Sequence, residues 1–239
     1  MAAEHQAILN LYKRDIAKYD PQNKLYLNEI FDLIPSELNA KNKRFIMKSL
    51  NQNIKFSRYE NSFLWLKDAG VALPTYNVEE PRTPLLLAKQ RNLFKLFLCD
   101  TGLLTSQFGS GVYLQMLQGD NAINFGSVYE NVAAQEFVAH GYNLYYFNSK
   151  KQGELDFVIA QHGKVIPIEV KSGKDYERHN ALTNVLTNDD YNIDFAYVLT
   201  NDNLRVEGKR IYMPMYMLMF IQKSPAPANQ IFKFDLHNL

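Results

Sequence analysis

Residues 153–174 read GELDFVIAQHGKVIPIEVKSGK, two runs of alternating apolar and polar residues on either side of His162-Gly163. Alternation at period two marks a strand, and a two-residue break ending in glycine marks a hairpin turn. With the turn centred on His162-Gly163, Phe157 pairs with Ile168, Leu155 with Val170, Ile159 with Ile166, Asp156 with Glu169 and Glu154 with Lys171. One face is then wholly apolar and the other carries the charges. A four-residue loop Gln161–Lys164 keeps this pairing, whereas a three-residue loop sets apolar against charged side chains throughout.

Paired Cβ atoms lie roughly 4.5–5.5 Å apart, and like charges placed directly opposite are destabilising. Asp156 and Glu169 therefore want a cation between them. Lys171, two residues beyond Glu169 on the same face, partly neutralises them, although the pairing also assigns it to Glu154 as a cross-strand ion pair. Mg2+ or Mn2+ is the candidate cofactor, since such hard cations take a few carboxylates plus water, polarise a phosphoryl oxygen and generate hydroxide. Asp156 and Glu169 are the candidate metal ligands, with the Val170 carbonyl as a further oxygen, and Lys171 is the group to orient a water or stabilise charge on a phosphate. These are the parts of a phosphodiester-hydrolysing centre. The plainer alternative is a lysine-neutralised acidic patch on a solvated sheet face.

Composition narrows the rest. The chain has 239 residues, 46% hydrophobic, enough for one large domain or two small ones. A net charge of +1 gives no overall field to recruit nucleic acid or an anionic membrane, which leaves a local basic groove as the only electrostatic route. Cys99 is the single cysteine and the five histidines are scattered, so neither a disulfide framework nor a zinc cluster is expected. The longest apolar run, Ile211–Ile221, is too short to span a bilayer and is broken by Pro214, and the start lacks a leader pattern; a cytoplasmic protein with no membrane partner is expected.

Up to about residue 70 the periodicity is helical. Runs holding Leu9, Leu11 and Ile16, then Leu25, Ile30, Leu33 and Ile34 ending before Pro35, then Lys43–Leu50, then Arg58–Ala69 with Gly70 as C-cap, predict four short helices. Two β-rich runs follow within 71–100, so residues 1–100 read as a winged-helix-like segment. Lys41, Lys43, Arg44, Lys48, Lys55 and Arg58 lie in and beside its third and fourth helices, either as a DNA contact or as a solvated face.

Residues 101–125 read as a connector, and 126–222 as an α/β sandwich. Its expected parts are a helix over Gly126–His140 with Ser127 as N-cap, Glu130 as capping-box acid and Val128, Val132, Phe137 and Val138 as apolar face; an aromatic strand Tyr142–Phe147; and the hairpin. An amphipathic helix over Asp175–Thr187, a buried strand Asp194–Leu199, an edge strand Val206–Tyr212 and a Met-rich helix Pro214–Ile221 complete it, and 223–239 form a tail.

Asp156, the hairpin and then Glu169-x-Lys171 resemble the PD-(D/E)xK signature of the restriction-endonuclease-like superfamily, without its proline. That resemblance implies Glu130, Asp156, Glu169 and Lys171 as catalytic residues and DNA or RNA as partner. More narrowly, YKRDIAKY (12–19), RYENSFLWLKDAGV (58–71), LFLCDTGLL (96–104), GSVYENVAAQEF (126–137), GELDFVI (153–159) and IPIEVKSG (166–173) resemble the C-terminal half of a large family of prokaryotic AAA-type ATPases. This half is catalogued as a domain of unknown function within the nuclease-like clan. What it implies is an ATPase domain as partner, on the same or another chain, a winged-helix-like segment and a nuclease-like α/β fold. The only Gly-Lys pairs, at 163–164, 173–174 and 208–209, lack the rest of a phosphate-cradling GxxxxGK[ST] loop, so this chain carries no ATP site of its own. The alternative function is a non-catalytic regulatory or partner-binding module of such an ATPase.

Overall fold

The computed structural model describes residues 2–19, 24–40, 42–46, 50, 56–119, 125–173 and 177–223. The helical periodicity of the first third yields α1 (Ala2–Tyr19), α2 (Lys24–Asn39) and α3 (Phe56–Asp68), whose Leu9, Ile16, Leu27, Ile30, Phe31, Ile34, Phe63 and Leu66 are buried in one core. Helix α2 does not stop before Pro35 but runs through it. The helix expected over Lys43–Leu50 is absent at its start. Residues 42–46 are irregular, Phe45 donating its amide hydrogen to the carbonyl of Phe94, and 47–49 lie outside the described residues. Gly70, at φ +70, ends the fourth expected helix, a left-handed position that suits glycine.

The β-rich runs form an antiparallel ribbon, β1 (Ala72–Val78) with β2 (Lys89–Leu98). The ribbon is not a free-standing wing. β1 also pairs in parallel with β3 (Tyr145–Ser149), so one sheet continues across the connector, which itself folds as α4 (Thr101–Ser106) and α5 (Ser110–Leu117). Beyond β3 come β4 (Gly153–Gln161), β5 (Lys164–Val170), β6 (Ala196–Thr200), β7 (Arg205–Glu207) and β8 (Arg210–Pro214), in the order β2-β1-β3-β4-β5-β6-β8-β7. The single edge strand expected over Val206–Tyr212 is thus two strands about a turn at Gly208, with β7 at the edge and β8 paired to β6.

Helix α6 (Gly126–Ala139) and α7 (Asn180–Leu186) cover the sheet. Neighbouring residues along the strands alternate between two cores: Ile159, Ile166, Leu199 and Met213 join that of α6, whereas Val158, Val165, Val198 and Tyr212 join that of α7. Both faces are buried, so the charged side of the hairpin is not the solvated face of the plainer alternative. The buried side of α6 is Val128, Ala133, Ala134 and Phe137, and Val132 and Val138 point outward instead. The amphipathic helix shortens to α7, part of its expected start lying outside the described residues, and the Met-rich stretch is a 3-10 turn, Met215–Phe220. Residues 224–239 of the expected tail also lie outside them.

Two glycines of the hairpin differ in what surrounds them. Gly163, at φ +73, forms the turn with His162 at φ +50 and has open space where a Cβ would go. Gly153, at φ +95, lies against α7, and a Cβ there would meet the Ala181 Cβ at 2.8 Å. Gly163→Ala is expected to cost only the backbone penalty of about 1–2 kcal/mol. Gly153→Ala adds a steric clash and should cost clearly more, read as a larger drop in the urea midpoint at unchanged slope.

Candidate acid and lysine site

The hairpin register is the expected one from Phe157↔Ile168 to Gln161↔Lys164. Phe157 and Ile168 are fully buried, Phe157 packing edge-on to Phe137 of α6. The ladder stops at that pair. At the next position the Asp156 carboxylate reaches across and accepts the amide hydrogen of Val170 at 2.8 Å, placing the acid at the end of β5 beside Glu169.

On its other edge β4 carries one extra residue. Tyr145 pairs with Val158 and Phe147 with Leu155, two steps on β3 against three on β4. Such a bulge re-aims side chains and breaks the alternation. Leu155 therefore enters the α7 core, not the core shared by Phe157 and Val170. Glu154 is displaced with it. Its expected partner Lys171 instead holds Glu169 Oε1 at 2.6 Å, while Glu154 accepts from Asn148 and lies 2.8 Å from the Lys95 ammonium.

Lys95 was not among the expected site residues. It sits in β2 and is completely buried, with its Nζ 2.8 Å from Glu154, 3.5 Å from Glu130 and 3.9 Å from Asp156, and 5.1 Å from the centre of the Tyr146 ring. Its sequence signal was a single charge inside the apolar run NLFKLFL, since a buried lysine needs acids around it. Asn131 of α6 fixes the strand that carries it, accepting from the Leu98 amide at 2.8 Å and donating to the Leu98 carbonyl at 3.0 Å.

Glu130 is not a capping-box acid. α6 begins at Gly126, its N-cap position is Phe125, and Ser127 is buried in the first turn without capping it. Glu130, one turn further, is buried and binds Lys43 through Oε1 and Lys95 through Oε2. Lys43, expected as a DNA contact or part of a solvated face, thus pairs with this acid. Lys41, Lys48, Lys55 and the side chain of Arg58 lie outside what is described.

Four acids, Glu130, Glu154, Asp156 and Glu169, face three lysines, Lys43, Lys95 and Lys171. Burial alone would lower the ammonium pKa of Lys95, but Glu130, Asp156 and Glu154 outweigh it and hold the charge on. Burial pushes Glu130 up, Asp156 adds to the push, and Lys95 and Lys43 oppose it. Glu169 is pushed up to about 8 by burial and by Asp156, against the pull of Lys171. Its second oxygen, Oε2, is buried without a hydrogen-bond partner. Among the described residues no three His, Cys, Asp or Glu side chains are placed to hold a metal ion together.

Two family profiles match the chain: a domain of unknown function (DUF8612) over residues 2–112 and another (DUF4143) over residues 125–218. No curated protein and no solved structure matches it. The site lies on the seam between the two matched regions. Lys43 and Lys95 come from the first, and Glu130, Glu154, Asp156, Glu169 and Lys171 from the second. Among the described residues no helix is long and apolar enough to cross a membrane.

The raised pKa of Glu169 makes stability depend on pH. Below its ordinary value of 4.5 the carboxyl is protonated in both folded and unfolded chains. Between there and about 8 the unfolded chain has released a proton that the folded chain keeps, so stability falls as pH rises; above that the loss is complete. Glu169→Gln removes this term. Thermal unfolding of both proteins should show the variant gaining on the wild type across this window and holding a constant lead at higher pH.

Proposed function

We propose that the chain is a nuclease-like module that works in the cytoplasm with an AAA-type ATPase domain, and that its acid and lysine site binds one divalent cation and hydrolyses phosphodiester bonds of nucleic acid. The observation that carries this reading is the convergence of Asp156, Glu169 and Lys171 where the β4–β5 ladder opens, with Glu130 of α6 within electrostatic reach of both acids. Spacing of these residues along the chain is that of the PD-(D/E)xK signature.

The acids suit Mg2+ or Mn2+ in a limited way. Glu169 Oε2 is buried and unpartnered, and Asp156 Oδ1 lies 3.9 Å from the Lys95 ammonium, beyond hydrogen-bond distance. Glu169 thus leaves one oxygen uncommitted, and one or two carboxylates completed by water and substrate phosphate are what Mg2+ ordinarily takes. Asp156 and Glu169 are the residues to hold it, and the chemistry the ion supplies when bound is polarisation of a phosphoryl oxygen and a lowered pKa of water. Lys171, its side chain 26% exposed, keeps Glu169 in place, and its ammonium is the group that can offset charge that builds on a phosphate. The Asp156 carboxylate is oriented by the Val170 amide.

A second reading, the non-catalytic regulatory module, is favoured by Lys43 and Lys95. These two ammoniums already neutralise Glu130 and Glu154, so the cluster is nearly balanced without any ion. Digestion of single- and double-stranded DNA and RNA with Mg2+ or Mn2+ separates the two. For the nuclease, Lys171→Ala should lower cleavage by about 100-fold or more, and calorimetry should show metal affinity lost in Glu169→Ala. Equal metal affinity in the wild type and Glu169→Ala would remove the metal site. Metal binding without cleavage of any of the four substrates would leave the regulatory module.

A further inference from the structure

The parallel pairing of β1 with β3 covers only Tyr76–Val78. Ahead of it the two chains are unpaired, and a cavity of about 390 Å3 lies there, a size that suits a small molecule. Leu73, Leu86, Tyr142 and Tyr145 are among its apolar and aromatic walls, and its charges are two ammoniums, Lys67 at the end of α3 and Lys89 at the start of β2. Among the described residues that line it there is no acid. We propose that this cavity binds a small organic anion, a flat apolar body carrying one phosphate or carboxylate group, with Lys67 and Lys89 on the anionic head and the tyrosine rings against the body.

The site is separate from the acid and lysine cluster. Paired residues of a ribbon share a face, and Tyr76 pairs with Phe94 and Val78 with Lys89, whereas Lys95 pairs with Thr75. Tyr76 and Lys89 therefore lie on the other face of the ribbon from Lys95, and the inference stands independently of the metal reading. Lys89 is held at the cavity wall, its Nζ 3.5 Å from the centre of the Tyr76 ring in a cation–π contact. Burial lowers its ammonium pKa, and the charges of Lys67 and Arg91 push the same way. Glu60 lines a smaller neighbouring cavity together with Lys89 and Arg91 and is not part of the larger one. An anion in the larger cavity relieves the repulsion between Lys67 and Lys89, which a neutral body of the same shape does not. Flat rings with a charged edge also match walls that are mostly apolar with a few polar groups fixing orientation.

Calorimetry on the whole chain with 2-naphthyl phosphate, 2-naphthoate and the neutral 2-naphthol tests this. At least one of the two anions should bind with a dissociation constant below about 1 mM, and 2-naphthol about tenfold more weakly or worse. The tighter anion identifies the head group as phosphate or carboxylate. Lys89→Met keeps the length and removes the charge; it should weaken the anion by about tenfold or more and leave 2-naphthol unchanged. Lys67→Met, at an exposed helix end, should weaken the anion in the same selective way. Leu86→Trp, at a loop residue 66% exposed, crowds the cavity and should weaken all three compounds. Absence of anion binding, 2-naphthol binding as tightly as the anions, or unchanged anion affinity in the lysine variants overturns the proposal. If Lys89→Met does not fold, Lys67→Met decides in the same terms.

Discussion

A fully buried ammonium is the constraint around which this molecule is arranged. Removing a lysine from water costs several kcal/mol, and only close acids with good geometry offset that cost. Here the acids belong to α6 and β4, whereas the lysine belongs to the ribbon, so neither part satisfies its charges alone. Everything that holds β2 against α6 serves this contact. The parallel pairing of β1 with β3 brings the ribbon into the main sheet, and the Asn131 amide locks the end of β2 in register. The two matched family regions are therefore joined by charge as well as by strand pairing.

Much of the fold was legible because hydrophobic period and turn chemistry act locally. The hairpin register from Phe157 to Gln161, its His162-Gly163 turn, the ribbon after Gly70 and the presence of a first helix follow from residue pattern alone, although that helix is longer than the short one expected. The misreadings have physical causes. Pro35 reads as a helix end, yet α2 passes through it and buries Leu38 beyond in the same core as Ile34. The hairpin of β7 and β8 reads as one strand because Gly208 is a lone glycine in an alternating run.

The candidate site was half legible. Asp156, Glu169 and Lys171 lie at the open end of a hairpin that sequence displays directly, although the ladder stops at Phe157↔Ile168 and the expected Asp156–Glu169 pair lies beyond it. Glu154 was misassigned because a bulge is a relation between β4 and β3, and parity within one hairpin does not register it. Glu130 carried two meanings at once, since an acid three residues after a serine fits a cap as well as a buried partner. Lys95 lies far along the chain from every acid it touches. A charged residue in an apolar strand announces that a partner exists without saying where.

The strand order also fixes a timetable. β1 gains β2 on one side as soon as the ribbon is made, but its other neighbour, β3, arrives only after α4, α5 and α6. During synthesis at roughly 5–20 residues per second, the edge of β1 that will receive Tyr145–Phe147 stands open for several seconds. Open strand edges are templates for foreign pairing. Until α6 brings Glu130, Lys95 has none of the three acids it meets in the folded chain, and an ammonium without them stays hydrated. A charge that the finished molecule balances with acids thus keeps the nascent ribbon wet, in the way exposed lysines guard the edges of mature sheets.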